Sequence, residues 1–245
     1  MIVLFTDYGR SAPYSALLRT AIVKEAPDIP VIDLLANAPA FNIAASAHLL
    51  AAFVPQFPRG TVFVAVVDPG VGGERKPVVL QADGRCFVGP HNGLFDVILR
   101  RCKQAALHEI AVDDFRLSAS FHGRDLFAPV AAKIASQREW PNAGKLAAMP
   151  LDAGAADTRY EVIYIDDFGN AYTGIPANDM RQDSRLQVAG QSLTFERTFS
   201  AVQKGRLFCY GNSLGLVEIA ANQASAAQLL ALQVGSGVTI CDSTR

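Results

Sequence analysis

The chain has 245 residues, 50% hydrophobic and 18% charged, with 22 Lys and Arg against 23 Asp and Glu for a net charge of −1. This is the composition of a globular protein with a sizeable core, long enough for one or two domains, and not of a disordered chain. The near-zero charge gives no electrostatic case for nucleic acid or an anionic membrane as partner.

No apolar run reaches the ~20 residues of a spanning helix, and the N-terminus shows no basic segment followed by an apolar one. The expected location is therefore the cytoplasm. Cys86, Cys102, Cys209 and Cys241 are far apart with no CxxC pair. They read as buried free thiols, and neither a structural metal nor a disulfide framework is expected.

Ile2 to Thr6 is a short apolar strand ending in Asp7-Tyr8-Gly9, and Tyr14 to Glu25 carries apolar residues at helical spacing. A strand at Val31 to Leu35 and a helix from Asn42, a suitable N-cap, to Val54 follow. Thr61 to Val67 is β-branched and apolar without polar alternation, the pattern of a strand covered on both faces. Next come a β pair at Val78 to Gln81 and Cys86 to Val88, a helix near Leu94 to Cys102, and a strand at Leu107 to Val112. Arg124 to Ser136 reads as a helix in which Pro129 is tolerable only near the first turn.

The alternation predicts an α/β domain over 1–155 with a mainly parallel sheet. Pro141 to Thr158, rich in Ala, Gly, Asp and Pro, reads as a linker. Strands at Tyr160 to Ile165, Leu186 to Val188, Ser192 to Phe199, Arg206 to Tyr210 and Gly237 to Cys241, with one helix at Ser225 to Leu232, predict a smaller all-β barrel or sandwich over 156–245.

Asp7 and Asp68 both fall just past the carboxyl ends of strands, where open α/β sheets bind ligands. The segment Asp68-Pro69-Gly70-Val71-Gly72-Gly73-Glu74-Arg75 has glycines that admit a ligand and a guanidinium able to turn back to the acid. It lacks GxGxxG and the Lys-Ser/Thr ending of a phosphate loop. Phe121-His122-Gly123-Arg124-Asp125 precedes a helix, so Asp125 is a possible cap. With Asp68 and Arg75, His122 would complete an acid–base and charge-stabilising set.

Asp166-Asp167-Phe168-Gly169-Asn170 fits either a β-turn or an aromatic–amide platform for a purine. Gly211-Asn212-Ser213-Leu214-Gly215 matches GxSxG in form. All four histidines precede it, however, so it is not a hydrolase nucleophile elbow.

Five ordered segments together resemble the S-adenosylmethionine hydroxide adenosyltransferases, relatives of the fluorinase and chlorinase enzymes. They are Thr6-Asp7-Tyr8-Gly9, Val66 to Gly72 with Arg75, Phe121 to Asp125, Asp167 to Asn170, and Asn212 to Ala220. The resemblance implies hydrolysis of S-adenosylmethionine at ribose C5′ to adenosine and L-methionine, with no cofactor and no metal. It also implies a homotrimer with sites at subunit interfaces.

An Asp–Arg–His triad maps onto Asp68, Arg75 and His122. Halogenating relatives carry a tyrosine at the Asp68 position, so the intact triad favours oxygen over halide as the nucleophile. Asp7 is implied to hold the ribose hydroxyls, Phe41 to lie near C5′, and Phe121 with Gly123 to line the ribose and adenine pocket. Phe168 and Asn170 are implied to meet adenine, and Asn212 and Ser213 the methionine end.

The chain departs from the family pattern at Ala12, where an acid is usual, and at His91 in Pro90-His91-Asn92-Gly93. Asp166 or Asp167 would compensate for the missing acid. The other readings are halide alkylation of S-adenosylmethionine, and binding of S-adenosylmethionine or adenosine without useful turnover.

Overall fold

The fold is that of a computed structural model, which describes residues 1–113, 115–152 and 156–241. The chain divides into two compact units, one of Met1–Ala51 with Phe57–Ala155 and one of Ala52–Gln56 with Ala156–Arg245.

In the first unit the order is β1 (Ile2–Thr6), α1 (Tyr14–Glu25), β2 (Val31–Leu35), α2 (Ile43–Phe53), β3 (Val62–Val66), β4 (Pro77–Ala82) and β5 (Arg85–Pro90). Then follow α3 (Asp96–Arg101), β6 (Ala105–Ile110), α4 (Ala128–Ala135) and β7 (Asn142–Leu146). The sheet runs β2-β1-β3-β5-β4-β6-β7. β2, β1, β3 and β5 are parallel neighbours, whereas β4 is antiparallel to β5 and β6, and β7 to β6. Five strands thus share one direction and β4 and β7 oppose it, so the expected mainly parallel sheet is observed in mixed form.

β1 and β3 are buried at every position, as their unbroken apolar runs require. Ile2, Leu4, Val62, Val64 and Val66 pack with Leu18 and Ile22 of α1 and with α4. Residues of the opposite parity are also covered: Phe63 stacks on Phe87 at 4.9 Å, and Phe95 reaches Phe87 at 5.9 Å. Burying each such ring contributes on the order of 2–3 kcal/mol. The chain steps from β1 to β2 on one side and then returns to β3 on the other. The carboxyl ends of β1 and β3 therefore flank a topological switch point.

Three local expectations are refined. Asn42 caps α2, its Oδ1 accepting the Ala45 N–H at 3.0 Å. The helix expected from Arg124 begins instead as a π turn over Gly123–Phe127, with the Ala128 N–H bonded to the Gly123 carbonyl, and continues as α4. Pro129 then lies in the first turn of α4, where its missing N–H is tolerated. The stretch expected to be a linker from Pro141 instead supplies β7, an edge strand of exposed residues paired through backbone to β6. Residues 153–155 of that stretch, and with them the 155/156 boundary, lie outside the described residues.

The second unit contains β8 (Arg159–Ile165), β9 (Ala171–Pro176), β10 (Arg185–Val188), β11 (Gln191–Thr194) and β12 (Leu207–Gly211). β13 (Leu216–Ala221), α5 (Ala226–Leu229) and β14 (Val238–Cys241) complete it. Sheets β11-β10-β14 and β12-β13-β9-β8 are joined by single bridges at Glu161↔Gly237 and Phe195↔Cys209. The two bridges close the strands into a barrel around Val162, Ile175, Leu186, Val217 and Ile219.

The strand expected over Ser192 to Phe199 ends at Thr194, and Phe199–Ala201 is a 3₁₀ turn. β9 escapes sequence reading because it contains Gly174 and Pro176. A side chain at Gly174 would collide with Arg159 of the paired strand.

Candidate active site

Asp7 follows β1 and Asp68 follows β3, one on each side of the switch point. The side chains of Asp68 and Arg75 are 4% and 10% exposed. Arg75 donates from Nε at 2.9 Å and from Nη2 at 2.6 Å to one oxygen, Oδ2, of Asp68. Nη2 also lies 2.9 Å from Nδ1 of His122. A guanidinium cannot accept a hydrogen bond, so Nδ1 must be the acceptor and the neutral imidazole carries its proton on Nε2. Burial, and then the charge of Arg75, holds His122 below its ordinary pKa, against the opposing pull of Asp68 and Asp125. Phe127 supports the guanidinium at 5.5 Å from the ring centre. Oδ1 of Asp68 is buried and has no hydrogen-bond partner among the described residues, which leaves it the unpartnered acceptor of this cluster.

The loop that joins these groups is shaped by its glycines. Gly72 adopts φ +78°, and a side chain there would run into the Ala119 carbonyl. That close approach brings the loop against the segment leading to His122. Gly123 similarly leaves room for the Tyr8 hydroxyl. The rings of Tyr8, Tyr14 and Phe121 form a mutually edge-on cluster with centroids 5.4 to 5.9 Å apart, which fixes Phe121 beside His122.

Burial raises the Asp7 carboxyl above its usual range, and the charge of Asp68 adds to this, while the backbone N–H groups of Asp7 and Phe41 oppose it. Phe41 is held there at φ +60° with its ring 81% exposed. Strained aromatic exposure of this kind is costly for a purely structural residue. Asp125 does not take the capping role: it pairs with Arg124, and its Oδ2 accepts the Ser118 N–H at 2.9 Å.

Asp166, Phe168 and Asn170 come together in the second unit around a cavity of about 600 Å³ that Tyr172, Phe199, Tyr210 and Glu218 also line. Asp166 is spent on the loop itself. It accepts the N–H groups of Phe168 and Asn170 and the Asn170 amide at 2.9 to 3.1 Å. Phe168 is left 80% exposed.

Asn212 closes the β12–β13 hairpin, its Oδ1 accepting the N–H groups of Leu214 and Leu216 at 3.0 Å. It meets the cavity through Glu218, which accepts its amide at 3.0 Å and the Tyr210 hydroxyl at 2.8 Å. Ser213 thus sits at a hairpin turn and not at a strand-to-helix elbow.

Sequence reasoning missed Tyr8, Tyr14, Tyr210 and Glu218. Glu218 was detectable as a lone acid in the apolar run Leu216–Ala221, the mark of a buried, partnered carboxylate. Burial raises its pKa, and its two donors oppose the rise.

Comparisons with known proteins agree over nearly the whole chain. Residues 2–144 match the family described as the SAM hydroxide adenosyltransferase N-terminal domain, and residues 160–239 match its C-terminal domain. Two relatives are named (R)-S-adenosyl-L-methionine hydrolase. The Thermus thermophilus protein is 34% identical and covers 98% of both chains. The Salinispora arenicola protein is 36% identical over 96% of this chain and 95% of its own. A solved structure of an uncharacterized conserved protein from Thermotoga maritima superposes with a TM-score of 0.85 at 30% identity, over 98% of this chain and all of that one.

Proposed function

The chain belongs to the SAM hydroxide adenosyltransferase family, and on that premise we infer that it hydrolyses S-adenosyl-L-methionine to adenosine and L-methionine. Water attacks ribose C5′, the C5′–sulfur bond breaks, methionine departs as a neutral thioether, and one proton is released. The sulfonium is already a good leaving group, so the protein has to place water in line with that bond and take its proton.

The observation that carries the triad assignment is the division of labour at Asp68. One carboxylate oxygen is fixed by Arg75, and the other is buried with no partner among the described residues. Asp68 Oδ1 is the proton acceptor in this reading. Nδ1 of His122 is occupied by Arg75, so its Nε2–H orients the water oxygen and Arg75 stabilises the charge that develops. Asp7 holds the ribose hydroxyls, and Phe41, Phe121 and Gly123 bound the sugar. The flat ring of Phe168 and the amide of Asn170 take adenine, and the Asn212–Ser213 turn takes the methionine carboxylate end.

The enzyme is further proposed to be a cytoplasmic homotrimer of two-domain subunits, split at 155/156, with sites at subunit interfaces. Its support is the family resemblance and the exposure of Phe41 and Phe168. Among the described residues no helix is long and apolar enough to cross a membrane. Incubation of the purified protein with S-adenosylmethionine, with and without chloride, tests the reading. Adenosine in both supports it. 5′-Chloro-5′-deoxyadenosine would make it a halide alkylase, and binding without product a binding protein.

A further inference from the structure

We propose that Asn92 is a positioning residue for the hydrolysis, holding the Asp68–Arg75 loop by its carbonyl at Val67; the inference rests on the Asp68–Arg75–His122 reading above. The topology supplies the reason. In the sheet β5 lies between β3 and β4, so the loop from Val67 to Lys76 must cross the carboxyl end of β5. The turn after β5, Pro90-His91-Asn92-Gly93, sits where that crossing takes place and grips the loop at both ends. At the entry, Asn92 Nδ2 donates to the Val67 carbonyl at 2.9 Å, one residue before Asp68. At the exit, the His91 N–H donates to the Lys76 carbonyl at 2.8 Å, one residue after Arg75.

The exit bond is backbone only and extends the β4–β5 ladder, which pairs Pro77 with Pro90. The entry bond depends on one side chain. Its amide orientation is fixed, because Oδ1 accepts the Leu94 N–H at 3.2 Å and so turns Nδ2 toward Val67. Val67 is fully buried, and removing the donor leaves its carbonyl unpaired. Asp68 would then shift relative to Arg75 and His122, and misplacement by about 1 Å is enough to lower a rate ~100-fold.

The test is steady-state kinetics of Asn92→Asp beside Asp68→Asn. The aspartate keeps the acceptor for Leu94 and loses the donor to Val67. The expected result is a kcat about 10- to 100-fold below the parent with KM within about threefold. As pH falls from about 8 to about 5, the kcat ratio of this variant to the parent should rise, because a protonated carboxyl can donate to Val67 again. Asn92→Ser caps the turn but is too short to reach Val67. It should show the same loss with no acid recovery, and it carries the test if the aspartate variant does not fold.

Turnover within twofold of the parent in the Asn92 variants, with Asp68→Asn inactive, overturns the proposal and leaves the triad standing. A rise in KM at unchanged kcat overturns it as well. An active Asp68→Asn variant removes the triad reading first, and the role of Asn92 with it.

Discussion

At Asp68 the protein fixes one carboxylate oxygen twice and leaves the other buried without a partner among the described residues, and the reactivity assigned to the site depends on that asymmetry. Replacing Asp68 with Asn keeps the shape and removes the proton acceptor. Turnover should fall ~10²- to 10⁴-fold, with a much smaller change in substrate affinity measured by calorimetry. His122 sets the acid side. Its folded pKa is held below 6.5, and the neutral form is the one that accepts from Arg75. Protonation as pH falls through that lowered value breaks the contact, so kcat/KM should show an acid limb with its midpoint below 6.5. Because the unfolded chain protonates first, the same group makes folding stability decline as pH drops through that window. In His122→Asn the acid limb should move or vanish; an unchanged limb assigns it to another group.

The elements that carry these residues depend on close contacts that a single methyl group would upset. A Cβ at Gly123 meets the Tyr8 hydroxyl inside the Tyr8–Tyr14–Phe121 cluster. Gly123→Ala should therefore lower stability by about 1–3 kcal/mol in urea unfolding, the usual cost of overpacking. Asp125 acts one turn away. Burial would raise its pKa, but Arg124 and the Ser118 N–H outweigh that and bring it to about 2. That stabilisation is complete above about pH 4 and is lost as pH falls toward 2. Asp125→Ala should thus melt below the parent at neutral pH, and the gap should close on acidification.

Legibility differs among these elements for physical reasons. β1 and β3 were readable because full burial demands unbroken apolar runs. β7 and β9 were not, because an exposed edge strand held by backbone pairing shows no apolar pattern, and in β9 Gly174 and Pro176 interrupt the buried residues around Ile175. Asp68, Arg75 and His122 could be named from their local segments. The bond from Arg75 to Nδ1, which assigns the tautomer, and the Tyr8–Tyr14–Phe121 packing depend on tertiary approach and were not readable.

On the scale of the whole molecule, one unit offers a buried acid–base cluster at a switch point, and the other an aromatic cavity with a buried carboxylate. The proposed trimer should appear in light scattering at three times the chain mass, and a monomer that turns over at full rate would contradict it. The most direct test of water attack at C5′ is reaction in ¹⁸O-labelled water, with mass analysis of the adenosine formed by the parent and by Asp68→Asn. The expected result is one ¹⁸O atom in the 5′-hydroxyl of the parent's product and a rate at least about a hundredfold lower in the variant. Unlabelled adenosine, or labelled adenosine formed equally fast by both, would contradict it.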